Sequence, residues 1–276
     1  MNPFASFTAA SFLAALLLAT AVAEPPTDPA TPGGPDAMIL AMPIARIEPP
    51  EKEFFYKQLD FHGIPIKAHQ DVADEALHEA AGRLAMMLEH LPTVRENLRD
   101  AGAALHIIGR NQGTSDLPEW QHMKGKPFDG RLTIDQRTRG MGGRLTSCGE
   151  ENLLRLPNDR YHGRDICVHE FAHNIYNRGI PASVRDKFRA RHKQALAEGL
   201  WVGSYAGSNH DEFFAETTMW YFGTRGDLSM KGPRPASGRE GLRAYDPKTL
   251  ALLNEFYGGK MDVPRLPPRT RRGGDR

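Results

Sequence analysis

The segment His169-Glu170-Phe171-Ala172-His173 constrains this chain more than any other feature. Two histidines at i and i+4 lie one above the other only where the backbone is helical. The surroundings agree. After Asp165 the pattern turns helical, with Ile166, Phe171, Ile175 and Tyr176 on one apolar face and Gly179-Ile180-Pro181 as a stop. Glu170 lies about 100° around that helix from His169. The chain must therefore bury one side of a helix while its other side offers two imidazoles and a carboxylate to a common point.

A second segment has the same spacing in carboxylates. In Asp211-Glu212-Phe213-Phe214-Ala215-Glu216, Glu212 and Glu216 share a face, while Phe213, Phe214 and Trp220 point into a core. Two carboxylates on an otherwise apolar helix need partners, because burying them unpaired is costly. Together the two helices imply a metal site. His169 and His173 are expected to hold zinc, with Glu212 as third ligand. Glu216 is expected to accept a hydrogen bond from the outer nitrogen of a ligating histidine. Glu170 is the expected general base, acting on a water made acidic by zinc. One complete His-His-Glu set implies one zinc ion per chain. Other third ligands fit less well. The metzincin pattern needs Gly at 176 and His at 179, where Tyr176 and Gly179 stand, and a short-spaced glutamate would fall at His192 or Lys193. His192 sits in a run of Arg and Lys and reads as a surface histidine.

HEFAH, followed by Tyr205 seven residues before Glu212 of EFFAE, resembles the catalytic domain of anthrax lethal factor and of the secreted Pro-Pro endopeptidases. The likeness spans about Asp165 to Tyr221, a fifth of the chain, and is only suggestive upstream to about Val72. It implies that Glu212 is a zinc ligand, that Glu216 supports a ligand, and that Tyr205 stabilises the oxyanion. Tyr205 lies in a loop with Gly199, Gly203 and Gly207, which suits a mobile donor as well as it suits a plain loop residue. Ala172 replaces the Gly often found between the histidines. The upstream part and the two cysteines depart from the family, so substrate preference does not carry over.

The remaining sequence sets the frame. Phe12 to Val22 is a short apolar run before Ala21-Val22-Ala23, a signal-peptide pattern with cleavage expected after Ala23. That implies a secreted or periplasmic protein with no stable membrane association after cleavage. Cys148 and Cys167 are the only cysteines, and an exported chain is expected to join them in a disulfide. The net charge of +1 gives no reason to expect nucleic acid as partner, so the expected partner is a peptide or protein substrate. Gly140-Met141-Gly142-Gly143 reads as a turn, and less readily as a place where substrate backbone approaches closely.

Residues 24–50 are rich in Pro and read as a linker or arm, and 263–276 as a basic, frayed tail. Between them, 51–262 form the expected domain. Strand and turn are expected over Phe54 to Ile66, and a helix over Val72 to Leu91, capped by Asp71 and stopped by Pro92. Further strands are expected at Ala104 to Ile108 and Arg131 to Asp135. Helices follow from Ser183 to about Glu198, from Asn209 or Asp211, and from Pro247 to Tyr257. Strands early and helices late imply an α+β fold: a single zincin-like metallopeptidase domain with a small mixed sheet and an HExxH helix. The rival readings are a catalytically silent zincin-fold binding protein and an exported structural protein with an accidental HExxH.

Overall fold

In the computed structural model, residues 36–267 are described. The expected signal peptide, its cleavage point and the tail beyond 267 lie outside them. Six strands form one mixed sheet in the order β1-β2-β3-β4-β6-β5. β1 (Ile44–Glu51), β2 (Phe55–Phe61) and β3 (Ile64–Ala68) are antiparallel neighbours. β4 (Ala104–Ile108) runs parallel to β3 and to β6 (Leu145–Gly149), and β5 (Gly140–Met141) closes the far edge antiparallel to β6. The fold class is α+β, as the order of sequence patterns implies.

The β2–β3 turn shows how the sequence sets the sheet. His62 and Gly63 both adopt positive φ, at 51° and 86°, the geometry that lets a two-residue hairpin follow the strand twist. Along β4, Leu105 and Ile107 enter the main core, and Ile108 packs on the other side with Phe54, Phe55 and Leu117. Helices α2 (Asp74–Leu88) and α6 (Ile166–Asn174) lie on the main-core face. α7 (Ala182–Ala197), α8 (His210–Tyr221), α9 (Gly238–Tyr245) and α10 (Pro247–Tyr257) build the other half of that core. Phe188, Phe213, Phe214, Trp201, Trp220 and Phe256 are fully buried there.

Several expectations are corrected. Residues 36–50, placed in the arm, supply a one-turn helix α1 (Ala37–Leu40) and the edge strand β1, where Pro49 and Pro50 remove no ladder donor that the sheet needs. Asp71 does not cap α2, whose N-cap is Ala73, and Asp74 and Glu75 supply acidic residues in its first turn. Pro92 starts a helix, α3 (Pro92–Asp100), at the position where proline loses no hydrogen bond. Arg131 to Asp135 is no strand. Thr133 and Gln136 form a capping box that opens a one-turn helix, α4 (Ile134–Arg137). A short α5 (Glu150–Leu153) follows β6. α7 begins after Pro181, so Ser183 lies inside its first turn. The first residues of the expected tail are docked: the Leu266 amide donates to Asn97 Oδ1 at 2.9 Å, and Arg265 pairs with Glu96 and Asp100.

The expected Cys148–Cys167 disulfide is absent, and both cysteines are free, buried thiols. Cys148 lies on β6 and Cys167 in the first turn of α6, where helix meets sheet. The thiols neighbour each other as small core side chains. Burial pushes the Cys148 thiol well above its usual range, and its contact with Cys167 adds to that. A thiol so disinclined to ionise is a poor nucleophile for disulfide exchange.

Candidate metal centre

α6 is capped by Asp165, whose side chain accepts from the Val168 amide at 3.0 Å. Arg83 of α2 holds that carboxylate at 2.7 Å, which ties the start of the helix to the core. Phe171 and Ala172 face inward and are fully buried. His169, Glu170 and His173 face a cleft on the other side. Glycine sets how closely β5 approaches that face. A Cβ on Gly140 would sit 2.6 Å from Ile166 Cγ2, and one on Gly142 would sit 2.9 Å from His173 Cβ. The glycine run thus brings an edge strand against the helix, a packing requirement that the turn reading did not include.

α8 supplies the carboxylates. Asn209 caps it, accepting from the amides of Asp211 at 3.0 Å and Glu212 at 2.9 Å. Glu212 therefore sits in the first turn, where the helix dipole favours negative charge. His173 Nε2 lies 3.2 Å from His169 Nε2, and Glu212 Oε2 lies 3.4 Å from each of them. Glu212 Oε2 is buried with no hydrogen-bond partner of its own. Among the described residues, His169, Glu170 and His173 bring metal-capable atoms within 4.8 Å of one another, a group able to hold a metal ion.

Each imidazole has a carboxylate at its outer nitrogen. His173 Nδ1 meets Asp211 Oδ1 at 2.7 Å, and Asn177 Nδ2 donates to Asp211 Oδ2 at 2.8 Å and to the His173 carbonyl at 3.0 Å. Asn177 is placed by a wide helical turn over Ile175–Gly179 that extends α6. His169 Nδ1 lies 3.2 Å from Glu216 Oε1, in ion-pair reach but too bent for a good hydrogen bond.

Burial works against charge on both imidazoles, but the carboxylates outweigh it. His169 is raised to about 9 by Glu212 and Glu216, and His173 to about 10 by Asp211 and Glu212. Glu212, which burial alone would raise, is held well below the carboxylate range by the two histidines. Glu170 is the exception among these acids. Burial raises it, and the pull of His169 and His173 does not cancel that rise.

Tyr205 lies over His169, with ring centroids 6.2 Å apart and planes 20° from parallel, and it remains 40% exposed. Burial, then the Glu212 carboxylate, pushes its phenol far up, so it stays protonated and able to donate. His192, read as a surface residue, contacts the Gly207 carbonyl at 3.2 Å and packs on Phe213.

Two cavities meet at Glu170. One, of about 420 Å³, runs past Phe128, Met141 and Gly142. The other, of about 400 Å³, runs past Tyr161, Arg164 and Ser229. Another cavity, lined by Asn97, Ile180 and Pro267, shares only Asn177 with the first of these and does not reach the histidines. The sequence marks Asp211 only as a possible helix start and gives Asn177 no role. An acidic residue after an Asn cap reads as ordinary dipole matching, and only the packing of α8 on α6 brings Asp211 to His173.

The fold and the centre together are those of an α+β domain with an HExxH helix facing a cleft. The chain matches no protein-family model and no curated protein sequence. Among solved structures it is similar to the PRO-PRO endopeptidase (PPEP-2) from Paenibacillus alvei, at 20% identity and a TM-score of 0.39, covering 67% of this chain and 92% of that one. Likeness at that distance carries no chemistry, so the function rests on the centre itself.

Proposed function

We propose that this chain is a secreted, zinc-dependent endopeptidase of the gluzincin type. The observation that carries the reading is the triangle of His169 Nε2, His173 Nε2 and Glu212 Oε2, with sides of 3.2, 3.4 and 3.4 Å. Ligands held tetrahedrally at zinc–ligand distances of about 2.0–2.1 Å stand about 3.3 Å apart. Two nitrogens and one carboxylate oxygen are also the donor set of a catalytic zinc that keeps a further position open. His169, His173 and Glu212 would hold the ion, and Asp211 and Glu216 would fix the outer nitrogens so that both Nε2 lone pairs face inward.

When bound, zinc supplies Lewis acidity toward a peptide carbonyl and lowers the pKa of water. Glu170 accepts the proton of the attacking water and delivers it to the leaving amine. Its raised affinity for protons suits a group that must hold one between those steps. Tyr205 donates its O–H toward the carbonyl oxygen as negative charge builds there. β5 is the edge strand of the sheet among the described residues and lines the cleft, and an extended polypeptide can add to a sheet edge. Both cavities include Glu170, which leaves room there for more of a polypeptide than one residue. The leader pattern in the first 23 residues is what supports the exported part of this reading.

Peptide-library cleavage by the purified mature protein, with and without chelator and alongside metal analysis, tests the reading. Cleavage that a chelator abolishes and zinc restores is expected. Folded protein that binds no zinc after supplementation refutes it.

A further inference from the structure

Glu216 is held more firmly than support of one histidine requires. It is fully buried, and three segments converge on its carboxylate. Oε1 lies 3.2 Å from His169 Nδ1 and accepts from Arg164 Nη2 at 2.9 Å, while Oε2 accepts from the Asp227 amide at 2.5 Å. The 226–227 backbone presses on the same group, since a Cβ on Gly226 would fall 2.1 Å from Oε2. Arg164 is itself fixed. Its carbonyl accepts from Asn152 Nδ2 at 2.9 Å, its Nη1 lies 3.8 Å from Asp227 Oδ2, and its guanidinium sits 5.8 Å from the Tyr161 ring.

We propose that Arg164 is a positioning residue for the zinc site and acts through Glu216. The proposal rests on the reading that the site binds zinc. A histidine that ligates through Nε2 must keep its proton on Nδ1, and that proton needs an acceptor held in line. Oε1 stands 3.2 Å from that nitrogen, off line, and it is shared between His169 and Arg164. The His169–Glu216 contact is bent, so small rotations of the carboxylate decide whether the imidazole is steered or left loose. Asp227 and Gly226 hold the far oxygen, and Arg164 holds the near one. Arg164 also places a positive charge beside Glu216 and close enough to Glu170 to act on its carboxylate. Lysine keeps that charge but lacks the planar fork that reaches Glu216 and Asp227 together.

A clamp that merely joined the 164 and 227 loops would alter stability without acting through Glu216. A thermodynamic cycle separates the two roles. Zinc dissociation constants would be measured by chelator competition for the wild type, Arg164→Met, Arg164→Lys, Glu216→Ala and the Arg164→Met/Glu216→Ala double variant. Thermal melting of each metal-stripped protein would run alongside. Arg164→Met is expected to weaken zinc binding on the order of 10-fold, as loss of an outer partner does. Arg164→Lys should recover part of that loss, and the double variant should bind no more weakly than Glu216→Ala alone. Equal affinity in wild type and Arg164→Met, or losses that simply multiply in the double variant, overturns the proposal. If Arg164→Met does not fold, Arg164→Lys decides: wild-type affinity in it refutes a role for the fork. Wild-type protein that binds no zinc removes the underlying reading and this proposal together, an outcome distinct from zinc-binding variants that all behave alike.

Discussion

The two faces of the sheet each bury a histidine against a carboxylate, with different results. On the face away from α6, His106 Nδ1 meets Glu119 Oε1 at 2.6 Å, beneath the Phe55 ring, whose centroid is 4.4 Å from that of His106. His106 outweighs burial and holds Glu119 below its ordinary range. On the other face, His169, His173 and Glu212 stand 3.2 to 3.4 Å from one another, and Glu212 Oε2 has no hydrogen-bond partner. The first arrangement pairs one nitrogen with one oxygen. The second converges three ligand atoms on a point that opens to a cleft. Convergence, and not the presence of histidine beside acid, is what makes the second group able to hold a metal ion.

The sharpest way to break that contrast is to change one atom set at a time on the α6 face. Glu170→Gln should abolish turnover while the zinc content stays at one per chain, because all three ligands remain. Glu212→Ala should lose the metal. Metal analysis beside a peptidase assay reads both, and a Glu212→Ala protein that keeps its zinc would show that convergence had been misjudged. Tyr205→Phe comes next. It removes a donor and keeps the ring over His169, so a kcat loss of roughly 10²–10³ is expected, with zinc content and KM little changed. Near-normal kcat, with chemistry rate-limiting, would leave Tyr205 as a packing residue.

Asp211 sharpens the contrast from the outer shell. Asp211→Asn keeps the volume but weakens the acceptor for His173 Nδ1. Zinc affinity should fall on the order of 10–100-fold, read by chelator competition. An unchanged affinity would mean that Asn177 and the helix alone orient His173.

The local half of this centre was legible in the sequence, and the tertiary half was not. His169–His173 and Glu212–Glu216 are pairs within single helices, so the i, i+4 rule shows them without a structure. Asp211, Asn177 and Arg164 come to the centre only because α8, the extended end of α6 and the 164 loop meet, and no spacing encodes that meeting. The same limit explains the elements misread. Leu132, Thr133 and Ile134 look strand-like, yet the Thr133–Gln136 cap wins because it satisfies backbone amides locally. The cysteines were read from compartment chemistry, whereas their state follows from packing in a closed interface between β6 and α6.

Acidity offers a gentler probe. In the metal-stripped protein His169 is raised to about 9 and His173 to about 10, against 6.5 for a free imidazole. Raised folded-state values mean that the stabilisation is fully present below the unfolded value and is lost as pH climbs through the folded ones. The melting temperature of stripped protein should therefore fall between about pH 6.5 and pH 10, while zinc binding should strengthen over the lower part of that range as protons leave the ligands. A stripped protein whose stability rises through that window would contradict the carboxylate contacts drawn around both rings.

The smallest expected effect on the metal comes from the other face, and it tests the contrast most directly. His106→Ala removes an imidazole as deeply buried as His169 and leaves Glu119 without its partner. An unpaired buried acceptor costs on the order of 1–3 kcal/mol, so chemical denaturation should register a clear loss of stability. Zinc stoichiometry, zinc affinity and kcat should not move, because a single nitrogen beside a single carboxylate offers too few ligands to compete for the ion. Two zinc ions in the wild type and one in His106→Ala would make the pair a second metal site. Pairing and convergence would then no longer be different things in this fold.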